Sequence, residues 1–214
     1  MKLYYIPTTR AVRPRWLLEE MGITCKLVQV DMKITQEPEY QNLHPHQKVP
    51  VLIDGEVTIF ESTAICTYLA DKYPNFGLAP AIDSPERAYY YQWLFYASVT
   101  LEAPVEHFMF AVLPHLPEKI LPTKVREAIS SQEALQWFNK VAEPLRNVLV
   151  NSDYLVGNQF STADIITGGV LLWAKKLGML DLNDPLSNYL DNLIRRPAFT
   201  RADEDFYAKI PTAL

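Results

Sequence analysis

The chain has 214 residues, enough for one large domain or two modest ones, since a single core rarely serves more than about 250 to 300 residues. Apolar residues make up 49% and charged residues 21%, the usage of a globular protein, and this excludes a disordered chain. The net charge of -5 comes without clusters of Lys and Arg, which argues against nucleic acid as a partner. No stretch reaches the roughly 18 to 20 apolar residues of a membrane span, so no membrane partner is expected. The first residues already read as a strand, and the expected location is cytoplasmic. The two cysteines, Cys25 and Cys66, lie in apolar stretches and read as buried free thiols.

In chain order, Leu3 to Ile6 and Cys25 to Val30 are short apolar runs. Between them, Trp16, Leu17, Leu18 and Met21 follow helical spacing that stops at Gly22. That is a βαβ unit. A second helix is predicted from Gln36 to Leu43, with Thr35 as its cap, followed by strands Val49 to Ile53 and Glu56 to Phe60 around Asp54-Gly55, read as a type I′ hairpin link. The next helix starts at Glu61 or Ser62, buries Ile65, Tyr68 and Leu69, and must end near Tyr73 because Pro74 follows. The resulting order is βαβαββα.

Prolines and Gly77 crowd the stretch from Pro74 to Pro85, and Ser84-Pro85-Glu86 then opens a new helix. A first domain over 1–77, a linker over 78–85 and a second domain over 86–214 follow from this. Helical spacing recurs in the second domain, as in Ile165, Ile166, Val170, Trp173 and Leu177, which predicts an all-α domain. Ser161-Thr162-Ala163-Asp164 reads as a capping signal, the serine accepting a backbone N–H and the acid facing the helix dipole.

The residues with chemistry cluster at the start of the third helix. Glu61 offers an anion for an ammonium group, and the Ser62 hydroxyl and the helix N-terminus offer donors for a carboxylate. An amino-acid zwitterion therefore fits there, although the same residues also suit simple helix capping. His44 and His46 are too few to hold a metal without a nearby Cys, acid or further His, so no metal is expected.

Lys48-Val49-Pro50, the Asp54-Gly55 hairpin, Glu61-Ser62-Thr63-Ala64-Ile65, Tyr68-Leu69 and the later Phe160-Ser161-Thr162-Ala163-Asp164-Ile165 together resemble the cytosolic glutathione transferase superfamily. The first 100 residues resemble its bacterial members especially. The resemblance spans essentially the whole chain. It implies a thioredoxin-like first domain with a helical second domain, glutathione as co-substrate, a small electrophile as second substrate, and a homodimer. It also implies that the Val49 main chain pairs with the cysteinyl part of glutathione, that Pro50 is cis, and that Glu61 and Ser62 hold the γ-glutamyl end. Gln36 and Lys48 would lie around the glycyl carboxylate. The segment His44-Pro45-His46-Gln47-Lys48 departs from the Asn-Pro-any-Gly-Lys usual in the family, so the turn before Pro50 is expected to have a different shape.

In this family the glutathione sulfur sits where the first strand leads into the first helix, here Tyr5-Ile6-Pro7-Thr8-Thr9-Arg10-Ala11. No cysteine occurs there, which argues against redox chemistry through a protein thiol. Thr9 is the preferred hydroxyl donor, with Thr8 and Tyr5 as alternatives. Arg10 adds positive potential if it points inward; for Arg10, Arg13 and Arg15 a solvated helix face is equally compatible. The electrophile is expected between the domains, against the first long helix of the second domain, with Glu102, Pro104, His107, Phe108 and Phe110 as candidates. Three activities stay open: conjugation of glutathione thiolate to a small electrophile, glutathione-dependent reduction of disulfides or peroxides, and a non-catalytic binding module.

Overall fold

The computed structural model describes residues 1–113, 124–125 and 128–203. They form two compact units, one made of residues 1–82 with the described residues from Asn192 onward, the other of Asp83–Asp191. Residues 114–123, 126–127 and 204–214 of the expected helical domain lie outside the described residues. Grouping 192–203 with the first unit differs from the sequence expectation, which carried the second domain through to 214.

In the first unit the observed order is β1 (Lys2–Tyr5), α1 (Val12–Met21), β2 (Lys26–Gln29), a 3-10 turn (Ile34–Gln36), α2 (Pro38–Gln41), β3 (Val51–Asp54), β4 (Val57–Phe60) and α3 (Ser62–Lys72). The βαβαββα order is thus the one the sequence implies. Helix α1 begins at Val12 and keeps Pro14, which has no N–H, inside its opening turn, where that group would lack a helical partner anyway. It stops at Gly22, whose φ of 60° is the left-handed conformation, and Ile23 N–H closes back on the Leu18 carbonyl at 3.1 Å.

Two local expectations change. The predicted helix from Gln36 to Leu43 is instead a 3-10 turn and a single α turn. Pro38 pushes Glu37 out of the helical region to φ -68°, ψ 145° and breaks the run. Thr35 accordingly lies inside the 3-10 turn and caps no helix. The hairpin loop is Gly55-Glu56, one residue later than expected, because Asp54 still pairs with Val57. Only Gly55 of the two has positive φ, the pattern of a type II′ turn rather than I′.

The sheet runs β2-β1-β3-β4, with β1 parallel to β2 and antiparallel to β3, and β3 antiparallel to β4. Strand alternation directs Leu3 and Leu52, which pair, to one face, and Tyr4 and Val51, which also pair, to the other. Tyr4 joins Val28, Val30, Tyr40, Val49 and Val51 in a cluster on its face. Helix α1 packs against α3, and α9 (Pro197–Asp203) packs on α1. Phe199 meets Trp16 edge-on at 4.9 Å, and Arg196 grips Glu20 with two hydrogen bonds of 2.6 and 2.8 Å.

In the second unit, α4 (Glu86–Phe95), a π-helical stretch (Tyr96–Leu101) and α5 (Glu102–Val112) continue one another without leaving the right-handed helical region. The π stretch lies just before Pro104, which cannot donate to the preceding turn. Then come α6 (Ser131–Leu149), α7 (Thr162–Lys176) and α8 (Pro185–Ile194), within which the chain returns to the first unit. Residues 162–172 of α7 are all buried. The Ser161–Asp164 signal opens α7 as the expected capping box: the Ser161 side chain takes the Asp164 N–H, and the serine's own N–H and hydroxyl donate to the Asp164 carboxylate, at 2.8 and 3.1 Å. Asp164 also accepts from Leu155 N–H at 3.0 Å and the Tyr189 hydroxyl at 2.7 Å. Among the described residues, no helix is long and apolar enough to cross a membrane.

Candidate functional site

Strand register assembles the site. Tyr4 pairs with Val51, and Val51 with Phe60, so the residues just after β1, just before β3 and just after β4 meet at one end of the sheet. Those residues are the turn from Ile6 to Ala11, the Val49–Pro50 pair and Glu61-Ser62. Here the sequence candidates converge.

Glu61 is the N-cap of α3 and has φ 72°, ψ 114°, a conformation that a non-glycine residue rarely holds and that costs on the order of 1 to 3 kcal/mol. Its side chain is exposed, while Ser62 behind it is buried. The Ser62 hydroxyl oxygen accepts from Arg13 Nη1 at 3.2 Å, and Arg13 is itself 1% exposed. The alternative of a solvated Arg13 is therefore corrected: the side chain is buried between α1 and α3. The sequence did carry a signal for this, because Arg13 shares a helix face with Trp16 and Leu17, three and four residues on.

The Val49–Pro50 bond is cis, and Pro50 is buried with Val49 half-buried beside it. The preceding loop is held from within. Tyr40 donates to the Lys48 carbonyl at 2.9 Å, Gln47 sits at φ 55°, and its N–H donates to the His44 carbonyl at 2.9 Å. His44 is buried against Phe60, with ring centres 4.6 Å apart, and its Nδ1 accepts the His46 N–H at 3.1 Å. Burial, together with the charges of His46 and Lys48 and against that of Glu61, holds the His44 pKa below its ordinary value. The sequence suggests no role for His44 beyond that of a metal ligand. The Lys48 side chain is exposed. Gln36 is exposed too, and its side-chain amide donates to the Met32 carbonyl at 2.6 Å, so it is engaged within its own turn. Among the described residues no group of three or more His, Cys, Asp or Glu side chains could hold a metal.

At the end of β1, Thr8 adopts φ 63°, unusual for a β-branched residue. It lines a small cavity with Tyr5, Pro7, Val12 and Arg15. Thr9 is used locally: its hydroxyl donates to the Ile6 carbonyl at 2.6 Å and accepts the Ala11 N–H at 3.3 Å. A threonine has one hydroxyl proton. That proton is directed at Ile6, so in this structure the Thr9 hydroxyl is engaged within its own turn. Tyr5 is buried, with the Arg15 guanidinium 4.7 Å from its ring centre and its hydroxyl 3.5 Å from Gln29 Oε1. Arg10 is half-buried. Cys66 is fully buried, and burial pushes its thiol pKa up; Cys25 is half-buried rather than buried, and its pKa is raised for the same first reason.

The electrophile candidates Glu102, His107, Phe108 and Phe110 all lie on α5; His107 is exposed and the other three are half-buried. His107 Nδ1 lies 2.9 Å from the Ala103 carbonyl, and its ring meets Trp137 edge-on at 5.3 Å. It lines a cleft of about 330 Å³ with Ile129, Ser130, Glu133 and Trp137, entirely within the helical unit.

Residues 1–71 match the family described as glutathione S-transferase, N-terminal domain, and residues 105–197 match glutathione S-transferase, C-terminal domain. Among curated proteins, the chain is 30% identical to glutathione S-transferase 3 of Zea mays, over 77% of this chain and 73% of that one. It is also 30% identical to the disulfide-bond oxidoreductase YfcG of Escherichia coli, over 94% and 93% of the two chains. Among solved structures, a glutathione transferase from Methylococcus capsulatus is 27% identical with a TM-score of 0.79, over 95% of this chain and 97% of that one. A sphingomonad glutathione S-transferase complexed with glutathione is 27% identical with a TM-score of 0.77, over 95% and 98%. The thioredoxin-like fold of the first unit and the helical fold of the second agree with these matches.

Proposed function

The chain belongs to the cytosolic glutathione transferase superfamily, and from that we propose that it binds glutathione at the end of the β1-β3-β4 sheet and transfers its thiolate to a small electrophile. The observation that carries this reading is the convergence of Val49–cis-Pro50, the strained Glu61 and the buried Ser62 at one sheet end. Glu61 meets the γ-glutamyl ammonium, Ser62 and the α3 N-terminus meet its carboxylate, and the Val49 main chain pairs with the cysteinyl unit. Lys48 and Gln36 flank the glycyl carboxylate, Gln36 by giving up its bond to Met32.

The thiol lies at the turn from Tyr5 to Arg10, with Thr8 as its hydroxyl donor. Lowering a thiol pKa by two units from about 8.5 takes about 2.7 kcal/mol. A hydroxyl bond to a charged sulfur supplies about 1.5 to 3 kcal/mol and a helix N-terminus about 0.3 to 1 kcal/mol, a combined range that spans the requirement without a general base. Arg10 adds positive potential. The electrophile is assigned to the α5 residues Glu102, His107, Phe108 and Phe110.

A second reading, glutathione-dependent disulfide reduction, is favoured by the similarity to YfcG over 94% of the chain. With Cys66 buried and Cys25 just before β2, at the sheet end opposite the site, glutathione's own sulfur is then the reductant. One glutathione thiolate attacks the substrate disulfide and releases one substrate thiol, leaving a mixed disulfide; a second glutathione thiolate attacks the glutathione sulfur of that bond and releases the other substrate thiol with oxidised glutathione. Isothermal titration with glutathione, followed by conjugation, disulfide and peroxide assays on one sample, tests these readings. Failure to bind glutathione favours a non-catalytic module, and reduction without conjugation favours the second reading.

The protein is further assigned as a cytoplasmic homodimer. Tyr91, Phe95 and Val99 recur every fourth residue at 40%, 67% and 67% exposure, an apolar stripe suited to a second copy. Light scattering that gives the monomer mass at micromolar concentration would exclude the dimer.

A further inference from the structure

We propose that Arg13 is a positioning residue for the ligand's α-carboxylate, acting through Ser62; this rests on reading Glu61-Ser62 as the γ-glutamyl anchor. Arginine is almost never fully buried without a purpose-built partner, and Arg13 is 1% exposed. Its Nη1–H ends on Ser62 Oγ at 3.2 Å, inside the packing of α1 on α3. Cys66, one turn after Ser62 on the same face of α3, also feels the Arg13 charge. The guanidinium therefore lies along the inner face of α3 next to its first turn.

A serine hydroxyl has one proton and two acceptor lone pairs. Accepting from Arg13 occupies a lone pair and turns the Ser62 O–H away from the guanidinium. A charged donor also polarises that O–H, and chained hydrogen bonds strengthen one another by about 10 to 30%. Ser62 is the first residue of α3, so its hydroxyl and the unsatisfied N–H groups of the first turn are directed at the same small region. A carboxylate is the group that uses both. Arg13 does not touch the ligand; it sets the rotamer and donor strength of the side chain that does.

The test is titration of wild type, Arg13→Lys, Arg13→Met, Ser62→Ala and Arg13→Met/Ser62→Ala with two ligands. One is glutathione; the other is γ-aminobutyryl-cysteinyl-glycine, which lacks only the α-carboxylate. Arg13→Met should weaken glutathione by roughly 5- to 10-fold and Arg13→Lys by less. Neither should change affinity for the decarboxylated analogue, and Arg13→Met should add nothing once Ser62 is alanine. If Arg13→Met fails to fold, Arg13→Lys and Arg13→Lys/Ser62→Ala carry the same cycle. Equal losses for both ligands, or additive losses in the cycle, would make Arg13 a structural residue only. Absence of glutathione binding by wild type overturns the γ-glutamyl reading and the role of Arg13 with it, an outcome distinct from additivity.

Discussion

His44 Nδ1 accepts the backbone N–H of His46 at 3.1 Å, which fixes the imidazole as the neutral tautomer with its proton on Nε2. Protonating Nδ1 breaks that bond and brings a charge into the buried site beside Phe60. The pKa of His44 is lower in the folded protein than in the unfolded chain, so below about 6.5 the unfolded state takes up the proton more readily. Stability from this group is complete above that value and falls as pH drops through it towards the folded pKa. Urea midpoints should therefore decrease between pH 7.5 and 5.5, and less steeply in His44→Asn. Parallel pH profiles for the two proteins would remove His44 as the cause.

The strain at Glu61 separates binding from stability. Glycine holds φ 72° without the Cβ penalty, whereas glutamate there costs on the order of 1 to 3 kcal/mol. Glu61→Gly should be as stable as wild type or more so by calorimetry, yet bind glutathione about 10- to 100-fold more weakly. Glu61→Ala should lose the same affinity without the gain in stability. Unchanged titrations in both variants would show that Glu61 is not the anchor for the ammonium.

For the thiol, the decisive difference lies between two adjacent hydroxyls. Thr8→Ala should raise the pKa of bound glutathione by roughly 1 to 2 units, read by thiolate absorbance, through loss of a donor worth about 1.5 to 3 kcal/mol. Tyr5→Phe should leave it unchanged. Thr9→Ala removes the bond to Ile6 and should lower the melting temperature more than it moves the thiol. An upward shift confined to Thr9→Ala would mean that its proton leaves the Ile6 carbonyl when glutathione binds.

In the helical unit, Asp164 accepts four hydrogen bonds while fully buried. Asp164→Ala leaves the Leu155 and Ser161 N–H groups and the Tyr189 hydroxyl without that acceptor. Orphaned buried donors cost about 1 to 3 kcal/mol each, so the variant should lose at least about 3 kcal/mol and melt several degrees lower. A shift within one degree would mean that other acceptors replace the carboxylate.

Features that depend on near neighbours along the chain are legible in the residues alone. Gly22 ends α1 because only a residue free of Cβ enters the left-handed region easily, and Pro14 confines the regular helix to Val12 onward. Asp164, three residues after Ser161, closes on that residue's N–H. Glu61 and Ser62 fall at the start of α3 because apolar spacing begins just after them. Tertiary structure alone decided which way the side chains with several local options turned. Arg13 was compatible with solvent or core until α3 supplied Ser62 as its acceptor, and no local signal placed His44 against Phe60. The Thr9 proton went to the Ile6 carbonyl because the turn brought that oxygen within 2.6 Å. The Gly55-Glu56 loop likewise followed from register, since cross-strand pairing of Val51 with Phe60 fixes where the hairpin must reverse. Backbone punctuation acts over a few residues and is written locally; partners 24 to 182 positions away, as in Tyr5–Gln29 and Glu19–Arg201, exist only once the chain has packed.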